Sequence, residues 1–371
     1  MKALLFTLEY PPFHGGVANY YGNLVKYWSA SAEAATGKPK PDNILVLNNN
    51  EGRLINNKLP LLKWLPAYFA IRQKIKQEKI EHVIVGHILP LGTIALACAK
   101  FYKIKYSVIL HGLDLSSAVK NSRKKWLAKK ILKNADKIIC INGYTADLTK
   151  QYFPPSANKM VIVNPAVDSA LPPAPEQILE LKKQYNLTDK IVLLSVGRLV
   201  KRKGFDMVVK SMPKILERVP NLVYIIIGDG NEIENLKLKI INLRLEKYVK
   251  IIKQAIDQER DNWYYASDIF IMPSKNIDGD FEGFGIVYLE ANLAGKPVIA
   301  GKSGGVGDAV IDGLNGLLVD PEDTDKISSA VIKLAQNPSL RQHLGEQGRK
   351  RAIDDFNWHK QINKIYNFLI L

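Results

Sequence analysis

The chain has 371 residues, 47% of them hydrophobic, and a formal net charge of +16, enough length for two ordinary domains that each bury a full core. Its two cysteines, Cys98 and Cys140, form neither a metal spacing nor a disulfide framework, so a zinc module and a disulfide scaffold are excluded and a reducing compartment is expected. The charge is lopsided: residues 1–170 hold 24 Lys+Arg against 10 Asp+Glu, and the remainder 28 against 26.

Taken in chain order, MKALLFTLEYPPF lacks the apolar core and cleavage site of a secretory leader, because Glu9 and two prolines interrupt it. It reads as a first strand, KALLFTL (2–8). NILVL (43–47), HVIVGH (82–87), YSVILHG (106–112), KIICIN (137–142) and MVIVN (160–164) follow as strands. His82, Gly86, His87, Pro90 and Gly92 divide the apolar run 82–99 into strand, loop and helix, so no membrane span is expected there. After the Pro/Ala-rich stretch 164–177 come IVLLSVGR (191–198), LVYIIIGDG (222–230), VKII (249–252), DIFIMPS (268–274), PVIAG (297–301) and GLLV (316–319). Continuous Val/Ile/Leu runs alternating with helical stretches predict parallel strands buried on both faces. The expected architecture is α/β, two doubly wound Rossmann-like domains across a cleft, residues 1–170 and 171–355, with a final helix over 356–371.

Ligands of open α/β sheets bind beyond the carboxyl ends of the strands, so the loops there are the candidates for chemistry. After the first strand, Gly15 and Gly16 permit close backbone approach at a helix N-terminus; the alternative is a simple strand-to-helix turn. His14 in the same loop is a weaker candidate. HGLD places His111 at a strand end, as a ligand for a sugar hydroxyl or positive charge, or as a turn cap. In GRLVKRKGFD, Arg198 and Lys203 can converge on one polyanion, with a basic surface turn as the alternative. In DGDFEGFGIVYLEANLAGKPVIAG, Glu282 and Glu290 flank Gly283, Phe284 and Gly285; Ile286, Glu290 and Leu293 fall on one helix face, which places Glu290 on an apolar stripe. Cations for a diphosphate, amides at a helix N-terminus and carboxylates for hydroxyls together make a nucleotide-sugar site.

Two basic amphipathic segments stand out in the first half. Residues 120–137 have eight basic residues and one acid, including Lys124, Lys125, Lys129, Lys130 and Lys133, over an apolar face of Leu127, Ala128, Ile131, Leu132 and Ala135. Residues 62–80 are the second. Each fits an anionic membrane surface or a core-packed helix with a solvated lysine face. No aromatic-basic motif supports nucleic acid as a partner.

The pieces PPFHGG, HGLD, SVGRLVKRKGFD, IIIGDG, SDIFIMPS, EGFGIVYLEA, GKPVIAGKSGG and DGLNGLLVDPED resemble, in order, the retaining glycosyltransferases of family 4, of GT-B fold. Within the family, GRLVKRKGFD and EGFGIVYLEA are most similar to the GDP-mannose-dependent mannosyltransferases acting on lipid-linked acceptors. The resemblance implies that Arg198 and Lys203 clamp the donor diphosphate, and that Glu282, with the amides of Gly283, Phe284 and Gly285, binds the transferred sugar. It further implies that Glu290 holds the ribose hydroxyls, His111 contacts the sugar near its anomeric carbon, and Gly15 and Gly16 close on the phosphates. The final helix is expected to cross back to the first domain. One departure is Lys253 in VKIIKQAID, where the family often has a glycine beside the base pocket. Asp278 and Asp280 match the Asp-x-Asp pattern of metal-dependent glycosyltransferases, but they precede a Gly loop instead of ending a core strand, so no metal or other cofactor is assigned. The expected enzyme is a metal-independent hexosyltransferase taking a nucleotide-diphosphate sugar, GDP-mannose ahead of UDP-hexose. Its acceptor would be a glycan or lipid-linked hydroxyl, and it would be cytoplasmic, peripheral on the membrane's cytoplasmic face. The alternatives are a GT-B-fold nucleotide-sugar epimerase and a non-catalytic nucleotide-sugar or membrane-binding module.

Overall fold

A computed structural model describes residues 1–13, 15–36, 44–56, 58, 62–154, 159–168, 172–253 and 257–370. His14 and the expected boundary at 170/171 lie outside them. The chain divides into two compact units, Met1–Pro165 with Trp358–Leu371, and Ala166–Asn357.

The first unit holds strands β1 (Ala3–Phe6), β2 (Ile44–Leu47), β3 (His82–Val85), β4 (Lys105–Leu110), β5 (Lys137–Cys140) and β6 (Met160–Ile162). They pair in parallel in the order β2-β1-β3-β4-β5-β6. β1 and β3 are buried along their whole length, which is why neither alternates: β1 is wholly apolar, and β3 is apolar after His82, whose Nε2 is hydrogen-bonded to Ser107 Oγ at 2.8 Å. The order reverses at β1, which lies between β2 and β3. The crevice beyond this switch point is lined by the loops after β1 and β3.

The second unit repeats the plan with β7 (Ile191–Val196), β8 (Leu222–Ile227), β9 (Val249–Ile252), β10 (Ile269–Met272), β11 (Val298–Gly301) and β12 (Gly316–Val319). The order is β12-β11-β10-β7-β8-β9, all parallel, the strand order of a dinucleotide-binding sheet. Here the switch point lies between β7 and β10. All twelve strands occur where the apolar runs predict them. Two six-stranded parallel sheets with flanking helices make the α/β, doubly wound class expected for both domains.

The last helix, Trp358–Ile370, belongs to the first unit, where it packs on helix Gly16–Thr36. Aromatic contacts fasten it along its length: Trp358 on Tyr20, His359 on Tyr27, and Tyr366 on the fully buried Trp28. Ile362 and Ile365 are also fully buried. Among the described residues no helix is long and apolar enough to cross a membrane.

Removing side-chain volume from this seam leaves a cavity that the fold cannot fully close. Ile365→Ala is expected to lower stability by about 2–5 kcal/mol, with hydrogen-exchange protection falling across β1 to β5 and holding across β7 to β12. Equal loss in both sheets would contradict this assignment of the helix.

Candidate active site

In the second unit the loops after β7 and β10 meet at the switch point. The strand β7 ends in Gly197, Arg198 is exposed, and the chain then closes a short 3-10 turn over Lys201–Lys203. At three residues per turn, consecutive side chains point about 120° apart. Lys201 accordingly faces solvent, Arg202 lies half-buried and Lys203 turns inward, where it is 9% exposed. Gly204 ends the turn at φ 75 and starts helix Phe205–Arg218. A Cβ there would collide with the carbonyl oxygen of Pro273, so glycine lets the two loops touch. The backbone N–H of Lys275 donates to Arg202 O at 2.7 Å and fastens the loops together.

Glu282, 7% exposed, is the centre of this cluster. Its Oε2 accepts from Lys203 Nζ at 2.6 Å, from Arg202 Nη1 at 2.9 Å and from Ser274 Oγ at 3.3 Å. Its backbone is held as well, its carbonyl accepting from Gly305 N at 3.0 Å and its N–H donating to Ser303 Oγ at 3.4 Å. Arg202 Nε continues to Asp280 Oδ1 at 3.1 Å. Burial alone would raise the Glu282 pKa, but Lys203 and Arg202 outweigh it and hold the carboxyl below its ordinary value. Burial also lowers Lys203, against the pull of Glu282. The carboxylate therefore stays charged and fixed.

All three hydrogen bonds to the Glu282 carboxylate fall on Oε2. Among the described residues, Glu282 Oε1 accepts no hydrogen bond, and two of the three Lys203 N–H donors have no partner. Arg198, exposed beside them, makes no hydrogen bond or ion pair among the described residues. A buried cation with uncommitted donors beside a buried carboxylate with an uncommitted oxygen can hold an anion and a hydroxyl side by side.

The Gly loop and the following helix, Ile286–Leu293, sit next in the chain. Phe284 is buried and its ring lies 5.7 Å from Phe356, so only its backbone can face a ligand. Gly285 caps the helix at φ 82, and no acidic residue sits in the first turn, which leaves its positive end uncompensated by side-chain charge. Ile286, Glu290 and Leu293 share one face, as the spacing predicts; all three are half-buried, Ile286 and Leu293 packing on the edge of the core, while the fully buried face carries Tyr288, Leu289, Ala291 and Asn292. Anchors on that other side set the rotation, because Tyr288 Oη donates to Met272 O at 2.8 Å and Asn292 exchanges a hydrogen bond with Asn315. Glu290 is instead oriented by Tyr264, whose hydroxyl donates to its Oε2 at 2.6 Å.

The first unit carries its candidates at the corresponding sheet end. Gly15 and Gly16 are exposed at the N-terminus of helix Gly16–Thr36, whose first turn holds no acidic residue, and a Cβ on Gly16 would meet nothing within 4 Å. His111 follows β4, its backbone N–H donating to Asp114 Oδ1 at 3.2 Å. Burial pushes its imidazole down to about 3, aided by His87. It is neutral at physiological pH, which favours hydrogen bonding over a fixed positive charge.

Arg202, Ser274, Ser303, Tyr264 and Tyr21 are absent from the sequence candidates. Arg202 had one detectable signal, its place in the KRK triplet ahead of Gly204. Asp280 is tied to Arg202, which gives one member of the Asp-x-Asp pair an ion-pair partner. Lys253, directly after β9, is exposed. The lysines 124, 125, 129, 130 and 133 line the exposed face of helix Ser122–Asn134, whose Ala128, Ile131 and Leu132 are buried, while Leu127 is only half-buried.

The site thus belongs to a two-domain α/β protein that gathers fixed charge at a Rossmann switch point, and comparison with known proteins assigns its class. Residues 177–351 match the family described as Glycosyl transferases group 1, and residues 14–171 match Glycosyltransferase Family 4. The chain belongs to the family 4 glycosyltransferases and is an enzyme of that class. It is similar to the GDP-mannose-dependent alpha-(1-6)-phosphatidylinositol monomannoside mannosyltransferase of Mycolicibacterium smegmatis, 29% identical over 363 residues, 96% of this chain and 94% of that one. A Corynebacterium glutamicum mannosyltransferase named for the monoacylated form of that acceptor is 28% identical, over 99% of this chain and 97% of its own. In fold the chain is similar to Anabaena HepE in complex with UDP, at a TM-score of 0.81, 19% identity and full coverage of both chains. It is likewise similar to a sucrose-phosphate synthase from Thermosynechococcus elongatus, at 0.79 and 21%, covering 100% of this chain and 99% of that one.

A carboxyl held below its ordinary value stabilises the fold above the ordinary carboxylate range, and that contribution is lost as pH falls through the lowered value. Glu282→Gln leaves Lys203 buried without its counter-charge, and is expected to cost about 3 kcal/mol at pH 7. The gap from wild type should close in acid, followed by denaturant unfolding; a gap independent of pH would contradict the ion-pair account.

Proposed function

We propose that this glycosyltransferase transfers mannose from GDP-mannose to a lipid-linked glycan hydroxyl with retention of configuration and without a metal ion. The observation that carries this reading is the pairing of uncommitted Lys203 donors with the uncommitted Glu282 oxygen. A sugar diphosphate supplies both partners, a phosphate oxygen for the ammonium and a hydroxyl for the carboxylate. The names of the Mycolicibacterium and Corynebacterium relatives support the donor and the acceptor class.

In this reading Lys203, with Arg198 reaching in from the exposed side, binds the diphosphate and stabilises the charge that develops as the sugar departs. Arg202 and Ser274 keep Glu282 aimed, and the amides of Gly283, Phe284 and Gly285 lie near the sugar and phosphates. Five residues of helix from Gly285 to Glu290 rise about 7–8 Å, comparable to the reach from a diphosphate to its ribose, whose hydroxyls Glu290 would accept. Fixed charges of this kind are preorganised, so they need no reorganisation in the transition state and can take the role that a metal ion plays elsewhere. Asp114 is half-buried, and its Oδ1 is held by the backbone N–H groups of His111 and Leu115, which suits it poorly as a nucleophile. The reaction is then a front-face displacement. The bond from C1 to the phosphate oxygen breaks, the bond from the acceptor oxygen to C1 forms on the same face, and the acceptor's proton passes to the departing phosphate.

The solvated lysine face of helix Ser122–Asn134 supports a peripheral association with anionic lipid on the cytoplasmic side. Trp126, 59% exposed, sits within it with Lys130 Nζ 4.8 Å from its ring centre. Replacing Lys124, Lys125, Lys129, Lys130 and Lys133 by glutamine should abolish salt-sensitive pelleting with anionic vesicles, since each lysine near the surface contributes about 1 kcal/mol. Unchanged pelleting would remove the helix from this role.

Among GDP-, UDP- and ADP-sugars, GDP-mannose should raise the melting temperature most, a donor at 100 times its Kd stabilising by about 2.7 kcal/mol. Lys203→Ala should lower kcat by about 10²–10³, the loss typical of one preorganised donor, and Glu290→Ala should raise the donor KM. NMR of the product should show the α-anomer. A β-product would overturn the front-face mechanism, and donor conversion without any acceptor would favour the epimerase reading.

A further inference from the structure

We propose that the hydroxyl of Tyr21 fixes the tautomer of His111, leaving a bare Nδ1 on the imidazole as a preset acceptor for a hydrogen bond from a substrate hydroxyl. Tyr21 is then a positioning residue, acting through His111. The assignment of the substrate hydroxyl rests on the function proposed above; the assignment of the tautomer does not.

The tautomer follows from counting hydrogens. Tyr21 Oη lies 2.6 Å from the carbonyl oxygen of Gly86 and 2.7 Å from His111 Nε2. A carbonyl cannot donate, so the one phenolic hydrogen belongs to the bond with Gly86. Toward the imidazole the same oxygen can only accept, and Nε2 must carry the proton. In a neutral ring Nδ1 is then the lone-pair nitrogen, and it has no partner among the described residues. The ring is neutral because burial penalises its charged form.

The surroundings hold this arrangement in place. Tyr20 and Tyr21, consecutive on helix Gly16–Thr36, meet the imidazole edge-to-face at 5.5 and 5.4 Å with interplanar angles of 88° and 89°. They block ring rotation from two sides. Gly86 follows β3 and His111 follows β4, so one hydroxyl ties together two neighbouring strand ends beside the switch point. A Cβ on Gly86 would collide with both Tyr21 and Thr7, which explains why glycine occupies the position that receives the phenol. The other nearby histidine, His87, is engaged separately: its Nδ1 accepts from Leu8 N at 3.4 Å and its Nε2 faces Glu9 Oε1 at 3.8 Å. It does not compete for Tyr21 Oη. A substrate hydroxyl donating to His111 Nδ1 is polarised by a lone pair whose direction the protein has set in advance.

Tyr21→Phe removes the hydroxyl and keeps the ring. Long-range proton–nitrogen spectra of protein labelled with 15N-histidine, with His111 assigned through His111→Gln, read the tautomer directly. Wild type should show an N–H-type Nε2 and a lone-pair-type Nδ1, and Tyr21→Phe a mixture of the two tautomers. In the same variant kcat with GDP-mannose should fall about tenfold, the size of one neutral hydrogen bond, while the donor KM stays within about twofold. A protonated Nδ1 in the wild type, or a pure Nε2–H spectrum in Tyr21→Phe, overturns the proposal. The wild-type spectrum decides the tautomer even if the variant does not fold. The expected spectra with no turnover of any nucleotide sugar overturn the function instead.

Discussion

The second unit depends on a carboxylate kept ionised inside the protein. Glu282 would be costly to bury alone, and three groups from two different strand-end loops make it tolerable by converging on one of its oxygens. That convergence requires the loops after β7 and β10 to touch, which Gly204 permits and the Lys275-to-Arg202 backbone bond maintains. Removing water from the cations and the carboxylate strengthens each remaining interaction they can make. In the function proposed, the ion pair and the ligand-binding groups are the same side chains, partly occupied by the fold and partly left over. Such a site is rigid once built, which suits transition-state stabilisation.

The two sheets solve the same problem of access in parallel ways. Each reverses its strand order once, and each collects polar side chains in the loops beyond the reversal, on a base of strands almost wholly apolar. The division of charge follows from the chemistry expected of each unit. The second unit is close to neutral overall and concentrates a few buried charges at one point. The first carries most of the excess Lys and Arg, much of it on the solvated face of a core-packed helix, where the proposed function gives it a role in encounter with anionic surfaces instead of bond rearrangement.

The strands were legible because parallel strands buried on both faces have to be written in Val, Ile and Leu, as in IVLLSV and LVYIII. The donor-site candidates were legible as motifs at the ends of those strands. What could not be read was the direction of individual side chains. Lys201, Arg202 and Lys203 are adjacent and alike in sequence, and only the 3-10 turn closed by Gly204 decides that the third is buried and the second reaches Glu282. Periodicity placed Glu290 on the stripe of Ile286 and Leu293, where it lies, but not how deeply that stripe is buried: an eight-residue helix takes its rotation from its anchors, and Tyr288 and Asn292 hold the opposite face to the sheet. Tyr21, Gly86 and His111 are separated by 65 and 25 positions, a distance over which spacing carries no information about a shared hydrogen bond.

A crystal structure of the chain with GDP-mannose bound tests the central claim most directly. The account predicts a diphosphate oxygen within hydrogen-bond distance of Lys203 Nζ, a mannose hydroxyl on Glu282 Oε1, and Oε2 still held by Lys203, Arg202 and Ser274. A donor seated away from this cluster, or a Glu282 that swings out to meet it, would contradict the view that the buried ion pair is the preformed half of the donor site.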